Sequence, residues 1–139
     1  MRVLQEAMSQ KVHADPRMLL FFNESTAGIE AGRQFLQRVG ARTSDRDPEG
    51  GPEVAASQAR ALIDFTSKQD PTHALLRAIA QPVLIVTGSN DTMLPTESSC
   101  AMFKTLGAAQ LVMYPDSNHG AIFQYHDWFV RDVESFLSR

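Results

Sequence analysis

The apolar positions of this 139-residue chain fall into successive stretches with different periods. Over residues 1–42 they recur at helical spacing, interrupted at Pro16. Val3, Leu4, Ala7 and Met8 make one stripe, and "MLLFF" (18–22) is a short run without a polar residue. Ser25 and Thr26 suit the start of a helix in which Ile29, Leu36 and Val39 share a face, and Gly40 suits its end. "TSDRDPEGGPE" (43–53) is polar and rich in Pro and Gly, so it reads as a loop. A further helix is expected near 54–68, carrying Ala55, Ala59, Leu62, Ile63 and Phe65. This opening part has the texture of a helical insert or lid.

From Pro71 the pattern changes. A short helix over 72–80, with Leu75, Leu76 and Ile79 inward, leads through Gln81 and Pro82 into "VLIVTG" (83–88). That run of aliphatic residues, stopped by Gly88, predicts a strand buried on both faces and so a parallel sheet. Pro95 and Thr96 suit a helix start, and Glu97 suits the positive end of its dipole. Cys100, Phe103 and Leu106 are expected on its inner face, and Gly107 ends it. "LVMY" (111–114) predicts a second strand, and Phe129, Val130, Val133, Phe136 and Leu137 lie at helical spacing in a terminal amphipathic helix. Strand, helix and strand fit into the roughly 30 residues such a unit needs.

Composition narrows the class. The 43% hydrophobic and 21% charged residues describe a globular chain, and 13 basic against 16 acidic residues leave a charge of −3. No basic patch suggests nucleic acid, and no apolar run approaches membrane-spanning length. The single cysteine, Cys100, rules out an internal disulfide framework and is expected in the core. The opening "MRVLQEAMSQ" lacks the apolar centre of a secretory signal, so a cytoplasmic protein is expected. No phosphate-cradling glycine loop suggests a nucleotide, and no cofactor is expected.

Chemistry gathers just past the carboxyl ends of parallel strands. Asp91 follows the first strand in "TGSND", and His119 follows the second in "YPDSNH". Neighbouring strands lie about 5 Å apart, so side chains from these two loops are within reach of each other. A carboxylate on one imidazole nitrogen sets the tautomer and supports the imidazolium formed in base catalysis. The plainer alternatives are a helix-capping turn residue for Asp91 and a backbone-bonded loop residue for His119. Asp116 and Asn118 read as turn residues. His126, among Phe123, Tyr125 and Trp128, either lines a pocket or begins the last helix, while His13 and His73 read as solvated. A metal site from Asp91, Asp116 and His119 fits no zinc spacing, and none is expected.

Acid, then histidine, then terminal helix is an order that resembles the α/β-hydrolase fold. "ALLRAIAQPVLIVTGSNDTMLPTESS" resembles the segment that supplies the triad acid, and "AQLVMYPDSNHGAIFQYHDWFVRDVESFL" resembles the histidine strand, its loop and the last helix. "LLFFNESTAGIEAGRQFLQR" resembles part of the helical cap that many of these enzymes insert after the sixth strand. The resemblance implies an α/β chain with a helical cap-like segment over 1–70. It implies the C-terminal part of a hydrolase core over 71–139, a strand-helix-strand-helix unit on a short parallel sheet. Asp91 then matches the triad acid and His119 the general base.

The departure from the family is an absence. No serine lies in G-x-S-x-G, and no HGGG-like stretch is present. The nucleophile is therefore expected outside this chain, which by itself is expected to be inactive. The resemblance implies hydrolysis of an ester, lactone or similar small carbonyl substrate once an N-terminal half completes the site. Relatives with an aspartate nucleophile cut carbon–halogen or epoxide bonds instead. The alternative is a truncated or pseudo-hydrolase that acts by binding or association. Two strands make a poor independent sheet, and an unpaired strand edge invites pairing. Membership of a longer polypeptide or of a homo-oligomer is expected.

Overall fold

The computed structural model describes residues 15–139 apart from 49, 69 and 71. The stripe at Val3–Met8 and His13 lie outside the described residues. Among the described residues four helices precede the sheet: α1 (Pro16–Phe21), α2 (Thr26–Ala41), α3 (Pro52–Thr66) and α4 (Ala74–Arg77). Then follow β1 (Val83–Gly88), α5 (Thr96–Thr105), β2 (Ala109–Tyr114), α6 (Ala121–Gln124) and α7 (His126–Leu137).

Among the described residues the sheet has two strands, which pair in parallel from Val83 opposite Ala109 to Gly88 opposite Tyr114. The crossover helix α5 packs on both strands. β2 begins two residues before the expected 111, because Ala109 and Gln110 have partners in Val83 and Leu84. Only Ile85, Thr87 and Gly88 of β1 are buried, so the expected burial on both faces holds for part of the strand alone.

Ser25 caps α2 by accepting a hydrogen bond from Gly28 N, as its sequence suggests. Its inward face is built on Gly28, Gly32 and Phe35, whereas Ile29 faces out. Gly32 lets α1 approach closely, since a Cβ there would stand 2.7 Å from Met18 Sδ and the Met18 side chain would have to shift. Phe21, Phe22 and Phe35 make edge-on and tilted ring contacts at 5.6–6.5 Å, which join α1 to α2.

α3 lies over the expected helix near 54–68, whereas α4 departs from expectation. Leu62, Ile63 and Phe65 of α3 are all exposed, because no described element packs on that helix closely enough to cover them. α4 is one turn rather than 72–80. The Asp70 carboxylate accepts from Ala74 N and Leu75 N at its start, which holds that carboxyl below its ordinary range. Leu75 and Ile79 point outward, leaving Leu76 as the half-buried one. On α5 the inward positions are Thr96, Ser99 and Cys100, followed by buried Leu106, while Phe103 is exposed. On α7, Phe129, Val133 and Phe136 are half-buried, and Val130 and Leu137 are exposed.

Tyr114 ends β2 and anchors α7. It is 2% exposed, donates its hydroxyl to Asp132 Oδ2 at 2.6 Å, and packs against the rings of Tyr125 and Trp128. Burial, then the bond to Asp132, pushes its phenol well above the ordinary range.

Candidate active site

The two strands deliver their loops side by side. Past Gly88 the ladder continues as single bonds, Ser89 N to Tyr114 O and Asn90 N to Ser117 O, both 2.9 Å. Gly88 permits this approach, since a Cβ there would lie 2.3 Å from Ser117 O and 2.4 Å from Asn118 O. Thr96, at the start of α5, donates its hydroxyl to Gly88 O at 2.7 Å and accepts from Asp91 N at 3.3 Å. The turn carrying Asp91 is thereby tied to both the strand behind it and the helix ahead.

Asp91 uses its two oxygens differently. Oδ1 accepts from Met93 N and Leu94 N at 3.0 and 2.9 Å, an arrangement that shapes the turn. Oδ2 meets His119 Nδ1 at 2.9 Å. The Asp91 side chain is 7% exposed and that of His119 28%, so the contact is largely shielded while the ring keeps an open side. Because a carboxylate accepts, Nδ1 is the protonated nitrogen in this network, which leaves Nε2 as the basic one.

The histidine loop is held from two sides. Within it, Ser117 is fully buried and donates to Tyr114 O, and the Gln124 side chain donates to Asp116 O. Towards α1 and α2, Gly120 N donates to Phe21 O at 2.7 Å, and Asn118 Nδ2 lies 3.5 Å from Phe22 O. Asp116 accepts from Asn23 Nδ2 and Ser25 Oγ, both at 2.8 Å. Asp116 has φ 41°, a left-handed conformation that aspartate tolerates, and it is a turn residue with a second set of partners. Asn118 is 5% exposed, and its Oδ1 accepts from Thr92 N at 2.9 Å and Thr92 Oγ1 at 3.3 Å. Reading the sequence as a turn missed both roles.

Asp91 and His119 face a cavity of about 380 Å³, walled by Phe21, Val86, Leu94, Ser99, Ile122 and Phe123. Phe21 and His119 have ring centroids 6.2 Å apart. Among the described residues no hydrogen bond joins Ser99 to His119. Larger hollows lie between α3 and α4 (about 760 Å³) and at the opposite end of the strands (about 550 Å³). Neither contains the Asp91–His119 contact, and the smaller cavity sits where loops leave the strands' carboxyl ends, so it is the candidate site. His73 and His126 are exposed and away from it. No cluster of metal-ligating side chains occurs among the described residues, and no described helix is long and apolar enough to cross a membrane.

Comparison with known proteins locates this geometry. The family model Abhydrolase_4, described as TAP-like protein, matches residues 61–139. A 2-hydroxy-6-oxononadienedioate/2-hydroxy-6-oxononatrienedioate hydrolase of Klebsiella pneumoniae subsp. pneumoniae is 31% identical over 78 residues, 55% of this chain and 27% of that protein. An α/β-hydrolase fold protein from Chitinophaga pinensis superposes with a TM-score of 0.87 at 33% identity, over 98% of this chain and 48% of its own. A serine hydrolase involved in carbazole degradation, the CarC enzyme, shares the fold at a TM-score of 0.54 and 19% identity, over 86% of this chain and 43% of its own. The chain thus spans less than half the length of each of these relatives.

Proposed function

We infer that this chain, which belongs to the α/β-hydrolase family described as TAP-like protein, supplies the acid and the base of a hydrolase active site. The observation that carries the reading is the 2.9 Å contact between Asp91 Oδ2 and His119 Nδ1 at the mouth of an apolar-walled cavity. Asp91 orients the ring, and Nε2 of His119 takes the proton from a nucleophile or a water. The nucleophile comes from outside these 139 residues, whose sequence contains no G-x-S-x-G. The substrate is an ester, lactone or similar small carbonyl compound, and the helices before residue 71 form the cap that closes over it.

The exposed apolar residues of α3 and α4 and the edge of β1, which has no partner strand among the described residues, support a second part of the reading: further structure covers them. It comes from the rest of a longer polypeptide or from another copy of the chain. A cooperatively folding monomer in light scattering would argue against this.

The activity is tested in a fusion. The part of the Chitinophaga α/β-hydrolase fold protein that this chain does not cover, joined ahead of this chain, is expected to complete the site and give hydrolysis of a p-nitrophenyl ester. His119→Ala and Asp91→Asn should each lower kcat, the latter by up to about 10⁴-fold. Turnover unchanged in His119→Ala would sink the assignment. So would robust esterase activity of the unfused chain, which is expected neither to turn over the ester nor to react with a fluorophosphonate.

A further inference from the structure

The geometry points to Asn118 as a positioning residue that locks the acid turn to the histidine loop and so sets the Asp91–His119 contact. This rests on reading Asp91 and His119 as orienter and base.

Asn118 adjoins His119, yet its side chain turns away from the cavity and into the protein, where it is 5% exposed. Both ends of its amide meet backbone. Oδ1 accepts from Thr92 N, the residue after Asp91, and Nδ2 faces Phe22 O in the connection between α1 and α2. The amide orientation is set by these partners, because an N–H requires the oxygen and a carbonyl requires the NH₂. One side chain therefore spans the acid turn, the histidine loop and the helical segment.

The turn carrying Asp91 needs such a clamp. Asp91 Oδ1 is committed to Met93 N and Leu94 N, and the carboxylate pivots with the turn. Thr96 fixes the start of that turn through Gly88 O and Asp91 N, and the Asn118–Thr92 bond fixes the next residue. Removing the Asn118 acceptor takes this part-buried hydrogen bond from Thr92 N and frees the turn to move relative to His119. The Asn118 side-chain amide bonds to Thr92 and faces Phe22 O, with no hydrogen bond to the imidazole, so its effect on His119 passes through the turn that carries Asp91.

The readout is the Nδ1 proton of His119, followed by long-range proton–nitrogen NMR on the 139-residue chain and assigned with His119→Gln. Asn118→Leu keeps the volume and removes the acceptor; exchange of that proton with water should quicken about 2- to 10-fold, matching the loss of one part-buried hydrogen bond. Asn118→Asp keeps an acceptor for Thr92 N but loses the donor to Phe22 O, so its exchange should fall between wild type and Asn118→Leu, and exchange as fast as in Asn118→Leu would count against the Thr92 bond. An unchanged Nδ1 proton in Asn118→Leu, with a clear change in Asp91→Asn, would overturn the role of Asn118 while leaving the pair intact. No change in Asp91→Asn would instead overturn the reading of the pair. Should Asn118→Leu not fold, the wild-type chain decides. The Thr92 amide and the His119 Nδ1 proton should be protected to the same degree, and a Thr92 amide exchanging like a free loop amide refutes the clamp.

Discussion

Replacing Gly88 by alanine tests how closely the two loops must approach. The new Cβ would stand 2.3 Å from Ser117 O and 2.4 Å from Asn118 O, both main-chain atoms with no rotamer to yield. Ordinary carbon–oxygen contact is about 3.4 Å, so the histidine loop must retreat by about 1 Å or β1 must bend. Such overpacking costs about 1–3 kcal/mol. Stretching the Asn90 N to Ser117 O bond beyond hydrogen-bonding range adds about 1 kcal/mol. The expected loss is thus roughly 2–4 kcal/mol, which lowers the urea midpoint by about 1–2 M at unchanged slope. A retreat of that size also carries His119 from 2.9 Å to a separation at which its Nδ1 no longer bonds to Asp91. Gly107→Ala is the control, because nothing lies within 4 Å of its Cβ position and its φ is not positive. Gly88→Ala within about 0.5 kcal/mol of wild type, with the His119 Nδ1 proton still held, would refute the reasoning.

Tyr114 predicts a pH dependence. Its folded-state phenol titrates above the unfolded value of about 10, so the native protein keeps a proton that the unfolded chain has lost. The stability this contributes is fully present below about pH 10 and falls as pH rises, by at most about 1.4 kcal/mol per unit. Tyr114→Phe should flatten that slope in urea titrations between pH 9 and 11.5, and an unaltered slope would count against it. Asp15 caps α1, and its bonds from Arg17 hold its carboxyl below the ordinary range. Asp15→Ala should cost about 1 kcal/mol at neutral pH. In the native protein the Asp15 contribution should fade as pH falls below about 4, which thermal melts at pH 7 and 3 would detect. Gly40→Ala, in the last turn of α2 with open space around its Cβ, should stabilise by up to about 1 kcal/mol; a lower melting temperature would contradict this.

The strand-helix-strand unit was legible in the sequence because its period shifts are abrupt. "VLIVTG" is β1 residue for residue, and Thr96 does begin α5. Asp91 and His119 could be singled out because both follow a strand directly, and register alone brings such loops together. Asn118 was not legible as a clamp. In "PDSNHG" an asparagine that turns inward looks the same as one that turns outward, and its partners Thr92 and Phe22 lie 26 and 96 positions away. Periodicity placed α3 but overstated α4. It identifies an apolar face on Leu62, Ile63 and Phe65, but coverage of that face depends on what else packs there. The start of α4 at Ala74, two residues after the expected 72, goes with the Asp70 carboxylate accepting from Ala74 N and Leu75 N.

The fastening of residues 116–120 to residues 21–25 sets an order on assembly. Each of its bonds, from Gly120 to Phe21, Asn118 to Phe22 and Asp116 to Asn23 and Ser25, joins chain positions more than 90 residues apart. Closing so long a loop loses chain entropy before any contact rewards it. The strand-helix-strand unit can form from neighbours in sequence, but the loop bearing His119 gains its last restraints only when the early helices dock. The imidazole is therefore steadied by contacts made across some 90 residues, so the strand-helix-strand unit without the early helices would hold an unfinished site.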